Sequence, residues 1–190
     1  MEKLKQLLES VTPNLTKEEL YIRFPEMAEF IMKNYGIKSR GEIFYLNELE
    51  FYYFDPKYDD KRLGKGKSRI TYERNAPAGA WYIHRYGVDL TFMSVIDEKN
   101  VEESFGGGIL IRSIENSETH EAITGPVNCV DYLWDEAVDA FTPTAPNPMM
   151  IRVEERIIEL NDASTRIVVD KADKWKSNWR FTVKDKKVSR

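Results

Sequence analysis

The sequence predicts a single α+β domain. A helical pattern occupies residues 1–36, strand-like runs dominate 42–114, and a further helix at 126–141 separates that β-rich core from strand-like segments over 151–190. At 190 residues, with 42% hydrophobic and 12% aromatic content, the chain is long enough for one core and too apolar to be disordered.

Residues 2–10 place Leu4, Leu7 and Leu8 on one side of a short, charged helix, which does not read as a signal peptide. Thr16 followed by Glu19 is a capping box. Pro25 is expected to open a second helical segment that Gly36 ends. The run 42–54, EIFYLNELEFYYF, is the most strand-like of all. Neither of its two faces is clearly polar, so the strand is expected to be central and covered on both sides. Its acids Glu48 and Glu50 share a face with Phe44, Leu46, Tyr52 and Phe54. A carboxylate there either reaches the exposed end of the strand or is held at a site.

Residues 55–69 read as a polar loop with a local basic excess: Lys57, Lys61, Arg62, Lys65, Lys67 and Arg69 against Asp55, Asp59 and Asp60. Such a loop is either a solvated charge run or a contact surface. Residues 80–95 form a long strand or a hairpin broken near Gly87. Gly106, Gly107 and Gly108 lack the Lys-Ser/Thr of a phosphate loop and read as a turn or bulge before a strand over 109–114. Arg112 interrupts that apolar strand, and a buried arginine requires a carboxylate or several carbonyls. Gly125-Pro126 opens the helix, with Val130, Leu133 and Trp134 inward. Residues 142–150 form a proline-rich connector, followed by strands over 151–160 and 165–169 and an aromatic, basic end.

Several chemistries find little support. The two histidines, His84 and His120, lie far apart with no metal-binding partner motif. His84 reads as a structural side chain, and the single Cys129 as inert core. No internal disulfide is open to one cysteine, so a reducing, cytoplasmic setting is expected. No apolar run approaches a membrane span. A net charge of −4 argues mildly against a dedicated nucleic-acid coat protein and leaves a local basic surface open. The remaining constellation is a strand carboxylate, Glu50, a strand arginine, Arg112, many aromatics and a basic loop. It is either a plain buried ion pair or a device that positions a water for hydrolysis.

The runs N-E-L-E-F-Y, W-Y-I-H-R-Y-G, I-L-I-R-S-I-E, G-P-x-x-C-x-x-x-L and R-I-V-V…W-R-F…V-S-R occur in this order. The pattern resembles the alkyladenine (methylpurine, 3-methyladenine) DNA glycosylase family over nearly the whole chain, from about Thr16 onward. That family carries V-E-T-E-A-Y, Y-V-Y-x-x-Y-G, L-L-R-A-L-E, G-P-x-x-L-x-x-A-L and R-I-G-V…W-R-F. The resemblance implies a methylpurine-DNA-glycosylase-like α+β fold: a curved, mostly antiparallel sheet with flanking helices. It implies a base-excision repair enzyme that flips a damaged purine out of double-stranded DNA, with no cofactor; a monomer is expected.

Carried over by position, Glu50 matches the general base that activates a water against the sugar C1′, and Arg112 the arginine that helps hold that water. Tyr52 matches a pocket aromatic, Val169 a residue whose backbone contacts the water, and Tyr86 the side chain wedged into the duplex. Arg69, with Lys65 and Lys67 beside it, falls in the family's basic loop as a phosphate contact. An alkylated purine is already a good leaving group, and aromatic walls favour its positive charge. Glu48 is expected nearer the solvent, without a role.

The base-recognition groups differ. The family's pocket histidine falls near Asp60 or Lys61, the middle aromatic of Y-V-Y is Ile83, and the glycine of R-I-G-V is Val168. A pocket asparagine falls near Met93, with Asp89 the nearest polar substitute. Such a pocket belongs either to a glycosylase for another lesion or to a nucleic-acid or small-ligand binding module.

Overall fold

The computed structural model describes residues 1–55, 76–95, 105–134, 147–167 and 177–189. Helix α1 (Glu2–Glu9) buries Leu4 and Leu8, one turn apart. Helix α2 (Lys17–Asn34) starts on the expected capping box: Thr16 Oγ1 accepts from the Glu19 amide at 3.1 Å, and Glu19 Oε2 accepts from the Thr16 amide at 2.6 Å. Pro25 does not open a second helix. It lies inside α2, because Leu20, Phe24, Met27, Ala28 and Ile31 form one buried stripe that runs past it. Packing of that stripe outweighs the backbone hydrogen bond a proline removes.

Gly36 does not end the helix either. The chain passes directly into β1 (Tyr35–Ser39), and a Cβ on Gly36 would lie 2.8 Å from the Phe44 carbonyl oxygen. Arg40 and Gly41, both with positive φ, form the two-residue turn that pairs Ser39 with Glu42. Two successive left-handed residues match the twist of a tight hairpin.

Strand β2 (Glu42–Phe54) is central, as its composition predicts. The other strands are β3 (Trp81–His84), β4 (Gly87–Thr91), β5 (Gly106–Asn116), β6 (Ala122–Thr124), β7 (Met149–Arg152) and β8 (Arg180–Thr182). They join one antiparallel sheet in the order β3-β4-β5-β2-β1-β7, with β6 on β5 and β8 on β2. The 80–95 region is thus the hairpin alternative, turning at Arg85-Tyr86. The three glycines are not a turn before β5 but its first residues. A Cβ on Gly107 would stand 2.0 Å from the Tyr52 carbonyl oxygen, so glycine lets the two strands close. Beyond them the β2–β5 ladder pairs Leu46 with Ile114, Glu48 with Ser113, and Leu49 with Ile111. Asn47 on one strand and Arg112 on the other are therefore skipped by the register.

Two helices cover opposite faces of this sheet. Phe24 of α2 packs on Phe51 (ring centroids 4.8 Å apart), Phe92 (5.7 Å) and Trp179 (5.1 Å). Burying one such side chain contributes roughly 1.5–3 kcal/mol. Helix α3 (Pro126–Trp134) lies over β4 and β5 on the other side, with Cys129 and Leu133 buried and Val130 and Trp134 half-buried. Pro126 and the Leu110 side chain meet above Gly87. The expected continuation of this helix to 141 lies outside the described residues.

The C-terminal strands are shorter than expected. The expected connector over 142–150 runs into β7, which starts at Met149 and ends at Arg152; residues 153–159 form no strand. Their amides turn to the end of α2 instead: Val153 donates to the Asn34 carbonyl at 2.9 Å and Arg156 to that of Lys33 at 2.8 Å. Arg156 Nη1 also donates to the Met32 and Leu46 carbonyls, each at 3.1 Å. This segment satisfies helix carbonyls that a strand would leave open. Residues 165–167 are likewise irregular. No helix among the described residues is long and apolar enough to cross a membrane.

Candidate functional site

Opposed residues of an antiparallel ladder project to the same face. One row crosses the sheet as Tyr82, Asp89, Leu110, Glu50 and Arg180. Phe51 faces α2, so Glu50 and its row face the side that carries α3. Two steps along β5, Arg112 reaches back over the same face.

The structure brings Glu50 and Arg112 together. Arg112 Nη1 donates to Glu50 Oε2 at 2.7 Å, and Glu50 Oε1 closes no hydrogen bond among the described residues. Glu50 is 0% exposed and Arg112 6%. Burial pushes the Glu50 carboxyl above the usual carboxylate range. The charges of Arg112 and then Arg166, the Ile167 amide and the Arg112 hydrogen bond pull it down and only partly offset burial.

Glu48 is not near the solvent. It is fully buried and forms the hub of the site. Its Oε1 accepts from Arg112 Nε at 3.1 Å and from Arg180 Nε at 2.6 Å. Its Oε2 accepts from the Ser189 amide and the Ser189 hydroxyl, each at 2.6 Å. A buried carboxylate on a strand requires such partners, and here they come from β5, β8 and residue 189.

Tyr52 lies on the Glu50 face, almost wholly buried, with the Arg166 guanidinium 4.8 Å above its ring. Arg166 is also 5.4 Å from the Trp179 ring. Asp89 is fully buried two strands from Glu50, about 10 Å away by strand spacing. His84 Nε2 stands 3.3 Å from Asp89 Oδ2, while its Nδ1 accepts from the Tyr86 amide at 3.2 Å. The Tyr86 contact leaves the neutral imidazole proton on Nε2, facing the carboxylate. Tyr86 itself sits in the β3–β4 turn, half-buried, under the Arg85 guanidinium at 4.4 Å. Val169 and the basic-loop residues Lys65, Lys67 and Arg69 lie outside the described residues.

Cys129 is buried core, its thiol pushed up to about 12 by burial first and by the charge of Glu48 second. Among the described residues, no three His, Cys, Asp or Glu side chains converge as a metal ligand set. The sequence reading missed Glu48 as a hub, Arg180 and Ser189 as its partners, and Arg166 beside Glu50 and Tyr52. The motifs R-I-V-V, W-R-F and V-S-R contain Arg166, Arg180 and Ser189, but their spacing does not say which strand they meet. The chain matches no protein-family model and no curated protein sequence.

Proposed function

We propose that the protein is a DNA glycosylase that hydrolyses the N-glycosidic bond of an alkylated or otherwise damaged purine. The observation that carries this reading is the state of Glu50: one oxygen held by Arg112, the other without a hydrogen bond among the described residues, in a site where burial favours taking up a proton. A carboxylate so placed suits a general base. In the reaction, Glu50 Oε1 takes a proton from a water that attacks the sugar C1′, and the purine leaves with the electrons of the glycosidic bond. Arg112 keeps the carboxylate oriented, and Tyr52 offers an aromatic face on the same side of the sheet. Tyr86, half-buried in the β3–β4 turn, is the wedge that fills the gap left by the flipped base. Because Glu50 is shut from solvent, catalysis requires its face of the sheet to open on binding DNA.

The test is release of free base from alkylated duplex DNA by purified protein, with Glu50→Gln as control. Release that disappears in the Gln variant supports the assignment, and undiminished release removes Glu50 from the role.

The same closure favours a second reading, a binding module for nucleic acid or a small ligand in which Glu50, Glu48 and Arg112 are structural. It predicts saturable, salt-sensitive DNA binding with no base released.

A further inference from the structure

Residues 187–189 lie across the charged face of the sheet. Ser113 Oγ donates to the Lys187 carbonyl at 2.8 Å, and Arg180 Nη2 donates to the Ser189 carbonyl at 2.9 Å. Between these anchors the Ser189 side chain enters the site. Its hydroxyl donates to Glu48 Oε2 at 2.6 Å and accepts from Arg112 Nε at 3.1 Å. The direction of that hydroxyl follows from chemistry, since a guanidinium only donates and a carboxylate only accepts.

Arg112 Nε is thereby shared between Ser189 and Glu48. A free guanidinium facing a carboxylate tends to fork onto both of its oxygens. Such a fork uses Nη2 together with either Nη1 or Nε; anchored at Nε by Ser189 and Glu48, the Arg112 guanidinium is held at an angle from which Nη1 alone reaches Glu50, and among the described residues Glu50 Oε1 is left without a hydrogen bond. We infer that Ser189 is a positioning residue: by holding Arg112 edge-on, residues 187–189 act as a strap that keeps one oxygen of Glu50 open for a proton. The catalytic consequence rests on the glycosylase reading, whereas the strap itself does not.

The test uses the full chain, 15N-labelled, with Ser189→Ala and Ser189→Thr. The Arg112 Nε–H resonance is expected to exchange slowly in the wild type and in Ser189→Thr, and to broaden or vanish in Ser189→Ala. An unchanged resonance in Ser189→Ala overturns the inference. If Ser189→Ala does not fold, Ser113→Ala loosens the other anchor and must broaden the same resonance; a sharp one overturns the inference equally.

The pH profile gives a second readout. Glu50 is faced by Arg112 from β5, Arg180 from β8, Arg166 and the Ile167 amide, Glu48 on its own strand, and Asp89 beyond Leu110. Ser189→Ala takes one acceptor from Arg112 Nε and one donor from Glu48 and leaves the other groups untouched, so a fork of Arg112 onto Glu50 moves the Glu50 titration to lower pH. If the wild type releases base, the variant's single-turnover rate should fall about tenfold with DNA affinity within about twofold, and Thr should restore it. If the wild type releases none, the glycosylase reading fails while the resonance still decides the strap.

Discussion

Arg112 meets Glu50 through a single N–H, at 2.7 Å, while its Nε is turned to Glu48 and Ser189. The pair is therefore not a simple two-residue salt bridge. It is one edge of a buried cluster in which Glu48 has four donors, while Glu50 draws on Arg112 Nη1 and the Ile167 amide and its Oε1 closes no hydrogen bond among the described residues. Buried charges are costly unless well partnered, so this uneven sharing concentrates the cost on Glu50.

That cost gives a pH-dependent stability. The folded-state pKa of Glu50 is raised, so between the ordinary carboxylate value and the raised one the native state holds more protons than the unfolded chain. Stability then falls as pH rises through that window. Glu50→Gln removes this component, and its unfolding free energy should gain on the wild type as pH rises. Urea unfolding at a series of pH values measures the difference, and a constant gap between the two proteins would contradict a raised Glu50 pKa.

Gly107→Ala should disrupt the site without touching a charge. The new methyl group would stand 2.0 Å from the Tyr52 carbonyl oxygen, against backbone that cannot move without parting β2 from β5. A loss of at least about 3 kcal/mol, or failure to fold, is expected. Gly41→Asn is the control: it has open space at φ +86° and should cost only a few tenths to about 1 kcal/mol. Thermal melts of the two variants compare them directly.

Pro25→Ala should stabilise the protein. It restores an amide within α2 at no cost to the buried stripe on either side. A proline inside a helix costs about 3 kcal/mol relative to alanine, partly offset by its restriction of the unfolded chain, so a net gain of about 1–2 kcal/mol is expected. A lower melting temperature in the alanine variant would show that Pro25 packs more favourably than its backbone suggests.

Much of this architecture is legible in local chemistry. Thr16 and Glu19 announce α2, Gly125-Pro126 announces α3, and the β-branched and aromatic run at 42–54 announces the central strand. Arg112, an arginine in an apolar strand, demands a carboxylate and has two. The illegible parts depend on distant neighbours. Gly36 and Gly107 are glycines because another strand's carbonyl comes close, not because the chain turns there. Residues 153–159 alternate like a strand, yet their amides are drawn to the end of α2. Glu48 and Glu50 look alike along β2, and only the arrival of Arg180 and Ser189 separates a saturated acid from a poised one.

The two skipped positions of the β2–β5 ladder, Asn47 and Arg112, lie on opposite strands and cancel, so the pairing before and after them keeps one register. They are a matched pair of local skips. Asn47 spends its freedom on Glu115 and Arg156, and Arg112 on Glu48 and Glu50. Deleting both together would keep the strands paired but turn the Phe44–Leu46 half of β2 to the opposite face from Glu50, because side chains alternate, whereas deleting either alone would also throw half of β2 one residue out of step. The sheet's most irregular point is thus also the point at which its chemistry cannot be cut out without turning half of a central strand inside out.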